Sequence, residues 1–75
     1  MNKIRRQSLA EVLESIEIAK DNLEQIKEEE ETARDNLPES LQNSDRYMQM
    51  DENCANLDYA ISSLDETIDY INNIE

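Results

Sequence analysis

The chain has 75 residues, with 19 Asp and Glu against 7 Lys and Arg and a formal net charge of -12. This length allows one small domain, and the charge argues against direct binding to nucleic acid or to an anionic membrane. No apolar run approaches the roughly 20 residues of a membrane span, and the basic start MNKIRRQSLAEVLE lacks the apolar core of a secretion signal. The single cysteine, Cys54, excludes an internal disulfide, so a reducing cytoplasm is the expected location.

The first predicted element is a long helix over about residues 3–36. Its apolar positions alternate at spacings of three and four, interrupted only by one glutamate: Leu9, Val12, Ile16, Ala19, Leu23, Ile26, Glu30, Ala33 and Leu37. High charge and few aromatic residues also fit a disordered tail. A disordered tail does not preserve this phase, however, and the 3.5-residue repeat is typical of a coiled-coil seam.

The connection covers about residues 37–44 and holds the only proline in a chain without glycine. Pro38 disfavours helical geometry at Leu37 and suits the start of one short helical turn in PESLQ. Asn43 or Ser44 is then the expected N-cap of the next helix. Because the connection is short, we expect the two helices to be antiparallel neighbours.

The second predicted helix covers about residues 45–74 and repeats the alternation without a break: Tyr47, Met50, Cys54, Leu57, Ile61, Leu64, Ile68 and Ile71. Cys54 is at a seam position, where we expect a buried and inert thiol. The predicted fold is therefore all-α: a single domain over residues 1–75, formed by an antiparallel two-helix hairpin of coiled-coil type. Its expected centre is formed by Leu23, Ile26, Leu57, Ile61 and Leu64.

The charges beside the seam support this topology. With Leu9 and Tyr47 as the first a positions, the e positions of helix one include four cations, Arg6, Lys20, Lys27 and Arg34, and those of helix two include Asp51, Asp58 and Asp65. In an antiparallel pair e faces e, so opposite charges meet. Lys27 is opposite Asp58 in one register and opposite Asp51 after a slide of one heptad. The second register is preferred, since it suits the short connection and covers more of the start of helix one.

Assembly is expected beyond the single hairpin. One seam of this length is marginal, and the chain has neither a disulfide nor a metal site to reinforce it. Further apolar residues lie outside the predicted seam: Ile4, Leu13, Ile18, Tyr59, Tyr70 and Ile74. Together they predict a wider apolar stripe, either in a homodimer that forms a four-helix bundle or in a contact with a partner protein.

Catalytic chemistry is not predicted. The absence of histidine excludes His-based catalysis and Glu-x-x-His metal motifs. Helix-surface carboxylates are normally solvated, and a calcium loop needs a glycine that the chain lacks. We therefore expect no enzyme, catalytic residue, metal or cofactor. Within the run Glu28–Glu31, Glu30 takes a seam position, either as a solvated residue reaching Arg34 or Arg46 or as a polar site that fixes register or binds a partner.

The connection also carries a resemblance. The segment from Asn36 to Gln42, NLPESLQ, and the following Ser44 resemble a group of small acidic helical proteins of bacteriophages and prophages of Firmicutes-type bacteria. The resemblance covers most of the chain, but beyond this segment it consists of coiled-coil composition. It implies a phage accessory protein acting in the bacterial cytoplasm, and it carries no shared activity or catalytic residue.

Two functions follow as hypotheses. The first is a non-enzymatic protein–protein interaction module that binds a bacterial host protein. The second is an acidic inhibitor that mimics nucleic acid and blocks a DNA- or RNA-binding or defence enzyme. A solvated outer face that only keeps the protein soluble is the simpler reading of the charge. The candidate partner-binding residues are Glu14, Asp21, Glu28, Ile18, Tyr59 and Tyr70.

Overall fold

The computed structural model describes all 75 residues and contains two α-helices and no strand. Helix α1 spans Lys3–Asp35 and helix α2 spans Asp45–Asn72. The two helices pack along one another in a rod of 60 × 15 × 11 Å. The predicted all-α antiparallel hairpin is confirmed.

Both helices begin at a polar side chain that caps a free backbone N–H group. The side-chain oxygen of Asn2 accepts a 2.8 Å hydrogen bond from the N–H of Arg5. The hydroxyl of Ser44 accepts one of 3.3 Å from the N–H of Tyr47. These contacts satisfy donors that a helix start leaves without an intrahelical partner. The residue that follows α1, its C-cap Asn36, has φ -90° and ψ 0°. No residue of the chain has a positive φ, so the chain turns without glycine.

The corner is held by hydrogen bonds around its proline. Pro38 precedes a single 3-10 turn, Glu39–Leu41, and its carbonyl accepts a 2.8 Å hydrogen bond from the N–H of Leu41. The side-chain amide of Gln42 donates to the carbonyl of Leu37 at 2.8 Å. The predicted short helical turn is therefore present. Its polar groups are paired within the corner, which gives the connection a defined shape.

Helix α2 packs through the predicted a and d positions. All eight are buried or half-buried: Tyr47, Met50, Cys54, Leu57, Ile61, Leu64, Ile68 and Ile71. Only Cys54, 5% exposed, and Ile61, 9% exposed, are fully enclosed. The core is thus a thin line between two helices, and the predicted burial of Cys54 is confirmed.

Helix α1 packs through a and e positions instead of a and d. Its half-buried residues on this line are Leu9, Leu13, Ile16, Lys20, Leu23, Lys27, Glu30, Arg34 and Leu37. The d residues Val12 and Ile26 are 48% and 49% exposed, and Ala19 and Ala33 are exposed as well. The prediction that Ile26 lies at the centre is wrong. Leu13, expected outside the seam, lies in it.

This rotation of α1 has a physical cause. Relative to an a and d seam, the helix is turned by roughly 50° about its axis, at 3.6 residues per turn. Short alanine side chains leave the interface, and the aliphatic stems of Lys20, Lys27 and Arg34 replace them. Long cationic side chains cover apolar surface with their stems while their charged ends remain in water. The stems therefore cover more of α2 than the alanine methyl groups do, and the charged ends reach its carboxylates.

The register is the first of the two considered. Lys27 Nζ lies 2.5 Å from Asp58 Oδ1 and Lys20 Nζ lies 2.6 Å from Asp65 Oδ1. The preference for a slide by one heptad, which pairs Lys27 with Asp51, is therefore wrong. The 3-10 turn at the corner takes up the additional connecting residues.

The start of α1 does not overhang freely in this register, because the three residues after α2 lie beside it. The amino group of Met1 donates a 3.1 Å hydrogen bond to the carbonyl oxygen of Glu75. Ile74 lines a small apolar depression together with Met1, Leu9 and Val12. The tail thus contacts part of the apolar start of α1, while Val12 remains 48% exposed.

Candidate functional site

One flank of the hairpin carries a ladder of three ion-paired layers. Each layer is centred on an e-position cation of α1, held by a carboxylate of α2 and a second one on α1. Lys20 contacts Asp65 and Glu24, Lys27 contacts Asp58 and Glu31, and Arg34 contacts Asp51 and Asp35. Because each layer has two carboxylates for one cation, the ladder itself remains negative.

The ladder shifts the ionisation of its lysines. The hydrogen bond with Asp65 raises the pKa of Lys20 above its ordinary value of 10.5, against a smaller opposing effect of desolvation. The hydrogen bond with Asp58 raises the pKa of Lys27 in the same way. Both ammonium groups are therefore held in the charged form, as expected beside an opposite charge.

Beyond the ladder, exposed carboxylates of α1 extend the negative surface. Glu14, Asp21 and Glu28 lie at successive f positions, one heptad apart, and none of them has an ion-pair partner. We call this flank the charged face. It is defined by the carboxylates Glu14, Glu17, Asp21, Glu24, Glu28, Glu31, Asp35, Asp51, Asp58, Asp65 and Asp69 and the cations Lys20, Lys27 and Arg34.

The opposite flank is almost free of charge. It contains the d and g positions of α1 from Val12 to Ala33 and the g and c positions of α2 from Gln49 to Tyr70, which share one side of an antiparallel pair. Arg5 and Arg46 occupy the same positions beyond its two ends. We call it the neutral face. It consists of Val12, Ser15, Ala19, Asn22, Ile26, Glu29 and Ala33 of α1, of Gln49, Asn53, Asn56, Ala60, Ser63, Thr67 and Tyr70 of α2, and of Ile74 in the tail beyond α2. Glu29 is its one charged residue, although charged residues make up 35% of the chain.

The predicted partner-binding residues are not gathered in one place. The three carboxylates Glu14, Asp21 and Glu28 share the charged face. Tyr70 lies at the border of the neutral face. Ile18 and Tyr59 are exposed on the outer sides of α1 and α2, turned away from each other. The structure therefore offers two extended faces, and the three apolar candidates do not form a single patch.

Glu30 forms a polar contact across the seam near the corner. One of its carboxylate oxygens accepts a 2.8 Å hydrogen bond from the side-chain amide of Asn53. The oxygen of that amide accepts a 3.0 Å hydrogen bond from Gln49. The expected partners Arg34 and Arg46 are therefore wrong, since the carboxylate turns toward the neutral face, away from the ladder.

Cys54 lies beneath the ladder, at the base of a depression between the Lys27 and Arg34 layers. Burial raises the pKa of its thiol above the ordinary value of 9.0, and the nearby Arg34 guanidinium opposes this shift. The thiolate is the reactive form of cysteine. A neutral, enclosed thiol is a packing group, which agrees with the interpretation made from the sequence.

The neutral face is the feature that the sequence interpretation missed. Its signal is present in the heptads, where c, d and g positions hold almost no charged residue over the central part of both helices. Assigning the d residues of α1 to the hairpin seam concealed this signal. The face becomes apparent once those residues are seen to be exposed.

The remaining surface shows no prepared chemical centre. No group of three or more His, Cys, Asp or Glu side chains is arranged to hold a metal ion. Neither helix has a segment that is both long and apolar enough to cross a bilayer. No family model, curated protein or solved structure matches the chain, so the two faces are the basis for interpreting its function.

Proposed function

We propose that the chain is a non-enzymatic binding protein whose charged face docks on a basic surface of another protein. The observation that carries this proposal is the separation of charge between the two flanks. Lys20, Lys27 and Arg34 are all engaged in the ladder, so the outer carboxylates lack a cation of their own chain. Electrostatic complementarity of this kind speeds association and selects partners.

The proposed setting is the cytoplasm of a bacterium, with the protein acting as a phage accessory factor on a host protein. The support is the resemblance of the NLPESLQ connection to those of small phage and prophage proteins. The hydrogen bonds of Gln42 and Leu41 that shape this corner give these residues a structural role. This part of the proposal concerns origin and location, and the charged face does not depend on it.

The test removes charge from one face at a time. The immobilised protein is mixed with a cytoplasmic extract of a Firmicutes-type bacterium, retained proteins are identified, and their association is measured with purified material. The variant Glu14→Gln, Asp21→Asn, Glu28→Gln changes the charged face. The control variant Glu11→Gln, Glu52→Gln, Glu66→Gln removes the same charge from exposed residues outside both faces.

We expect association of the purified partner to slow steeply as salt is raised from about 0.05 to 0.5 M, because screening shortens the range of the charges. The charged-face variant should bind at least tenfold more weakly and the control variant should bind like the parent, with unchanged circular dichroism in both. Equal losses in the two variants, or binding that ignores salt, would contradict a role for the charged face.

A nucleic-acid mimic is the second candidate, favoured by the spacing of the carboxylates. Successive f-position residues such as Glu14 and Asp21 are about 10.5 Å apart, and interleaved neighbours such as Glu17 lie about 5–6 Å away. These distances bracket the spacing of backbone phosphates. If the mimic is correct, duplex DNA should compete with the protein for its partner. If DNA binds the partner without displacing the protein, the mimic hypothesis is excluded and docking on another basic surface of the partner remains the proposed function.

A further inference from the structure

We infer that the neutral face is the docking surface for a second copy of the chain. The two hairpins would pair with their corners at opposite ends and with their charged faces turned outward. This inference does not depend on the proposed target of the charged face. Four observations lead to it: the unused heptad positions, the distribution of charge between the two flanks, the exposed area, and the difference in charge between the two ends of the rod.

The first observation is the set of heptad positions that the hairpin does not use. Four of the five d positions of α1 are apolar, Val12, Ala19, Ile26 and Ala33, yet all four are exposed, and Arg5 occupies the first d position. A side chain that only faces water has no reason to keep this repeat. A second seam explains it, because a heptad pattern marks positions that pack against another helix. The alanines also allow a neighbouring helix to approach closely.

The second observation is charge. Two copies each carry a formal charge of -12 and repel one another over most of their surfaces. Along the charged face, any close approach opposes unpaired carboxylates. Along the neutral face, an approaching copy meets alanine, isoleucine, asparagine, serine and threonine, and its charges are Glu29 and the carboxylate of Glu30, which Asn53 holds at the edge. This flank alone allows two such acidic rods to lie side by side.

The third observation is area. A compact monomer of 8.8 kDa exposes about 4,800 Å², whereas this hairpin exposes 5841 Å². The excess is about 1,000 Å², and a standard protein interface buries about 800 Å² on each partner. Pairing two rods along the neutral face can thus bring each chain to the exposure expected for its mass.

The fourth observation sets the orientation. At the end opposite the corner, Lys3, Arg5 and Arg6 are offset by Glu66, Asp69 and Glu75, whereas Glu28–Glu31 and Glu39 lie toward the corner. Pairing with the corners at opposite ends brings the acidic end of each copy to the charge-balanced end of the other. Pairing with the corners together places like charges side by side, which costs free energy.

The test compares a neutral-face variant with a matched control. Ile26→Glu adds a charge at a residue already 49% exposed, so it does not bury that charge within one hairpin. Met48→Glu makes a comparable apolar-to-acidic change on the other side of α2, at a residue 64% exposed. In sedimentation equilibrium at about 50 μM, the parent and Met48→Glu should have about twice the chain mass. Ile26→Glu should be a monomer, or should unfold at concentrations where the control remains folded.

Cysteine cross-linking tests the face and orientation in the folded protein, in a Cys54→Ser background. Ala19 is midway along α1 and Ala33 is near the corner. With the corners apart, Ala19→Cys should form a disulfide dimer on mild oxidation and Ala33→Cys should not. A monomeric parent, or Ile26→Glu and Met48→Glu with equal masses, would overturn the inference. Rapid cross-linking of Ala33→Cys alone would overturn the orientation.

Discussion

The ammonium nitrogen of Lys27 lies 2.5 Å from a carboxylate oxygen of Asp58 on the opposite helix. The pairs Lys20–Asp65 and Arg34–Asp51 repeat the same offset one heptad to either side. A slide by one heptad places Lys27 opposite Asp51 and Lys20 opposite Asp58, but it leaves Arg34 opposite Ser44. The observed register therefore has one cross-helix ion pair more than the slid register.

This register can be tested by exchange of charge. Lys27→Glu should lower the urea midpoint of unfolding, because it places a third carboxylate beside Asp58 and Glu31. Adding Asp58→Lys to this variant should restore most of the loss, whereas adding Asp51→Lys should not. The midpoint is measured by circular dichroism, and the effect is expected to be small because exposed ion pairs are weak. Rescue by Asp51→Lys alone would support the slid register.

The polar contact at Glu30 is expected to reduce stability. Glu30→Leu should raise the free energy of unfolding by about 1 kcal/mol, since a half-buried leucine adds apolar burial to the seam and removes one of four adjacent like charges. Glu28→Leu removes a neighbouring charge from an exposed position and should change stability by less than about 0.5 kcal/mol. A less stable Glu30→Leu protein would show that the hydrogen bond from Asn53 is worth more than apolar packing.

The enclosed core can be probed with one chemical change at two sites. Ile61 is 9% exposed and Ile4 is 78% exposed. Ile61→Ala should cost about 2 kcal/mol or more, through lost transfer free energy and the cavity that remains. Ile4→Ala should cost less than about 0.5 kcal/mol. Equal thermal melting curves for the two variants would contradict the observed seam.

Cys54 should react slowly with thiol reagents in the native protein. Its thiol is enclosed and its pKa is raised by burial, so little thiolate is both formed and accessible. The control variant Cys54→Ser, Ala55→Cys places a thiol one residue away on the exposed side of α2. Alkylation of Cys54 at pH 8 should be on the order of a hundredfold slower than in this control. Similar rates in the absence of urea would contradict its burial.

Alkaline conditions should weaken the hairpin. Hydrogen bonds raise the pKa of Lys20 and Lys27, and burial raises the pKa of Cys54. The folded state thus binds these protons more tightly than the unfolded state. The resulting stability is fully present when the pH is below the ordinary pKa values of cysteine, 9.0, and lysine, 10.5. It is lost as the pH rises through the higher pKa values that these groups have in the folded state.

The measurement for this prediction is the urea midpoint between pH 7 and pH 11. The midpoint should fall above about pH 9, and the fall should be smaller in the double variant Lys20→Met, Lys27→Met. Lys3→Met changes a lysine that has no ion-pair partner and should leave the fall unchanged. A midpoint that stays constant to pH 11 would exclude a stabilising role for the ladder lysines.

Features that depend on local chemistry could be predicted from the chain alone. The hairpin follows from two heptad runs separated by Pro38, and the start of α2 follows from the capping hydroxyl of Ser44. The seam of α2 and the burial of Cys54 were also predicted correctly. These features are governed by neighbours within one or two helical turns, so the spacing of residues is sufficient to indicate them.

The candidate site was predictable only in part. The carboxylate row through Asp21 can be read directly from the heptad positions, since any packing of α1 that covers a positions leaves f exposed. The neutral face could not be read in this way. Whether Ile26 and Ala19 face α2 or water depends on how far α1 is rotated, and both rotations preserve the same heptads.

The sequence by itself determined that the chain forms two antiparallel helices, that the second begins after the cap Ser44, and which side of α2 is apolar. Only the tertiary structure decided the register, the rotation of α1 and the partner of Glu30. The alternatives differ by a few exposed ion pairs and the coverage of a few apolar groups, which are small free energies summed over both helices at once. The heptad repeat of one helix cannot indicate this total free energy. A lysine side chain contributes to it only when its carboxylate partner on the other helix lies within reach.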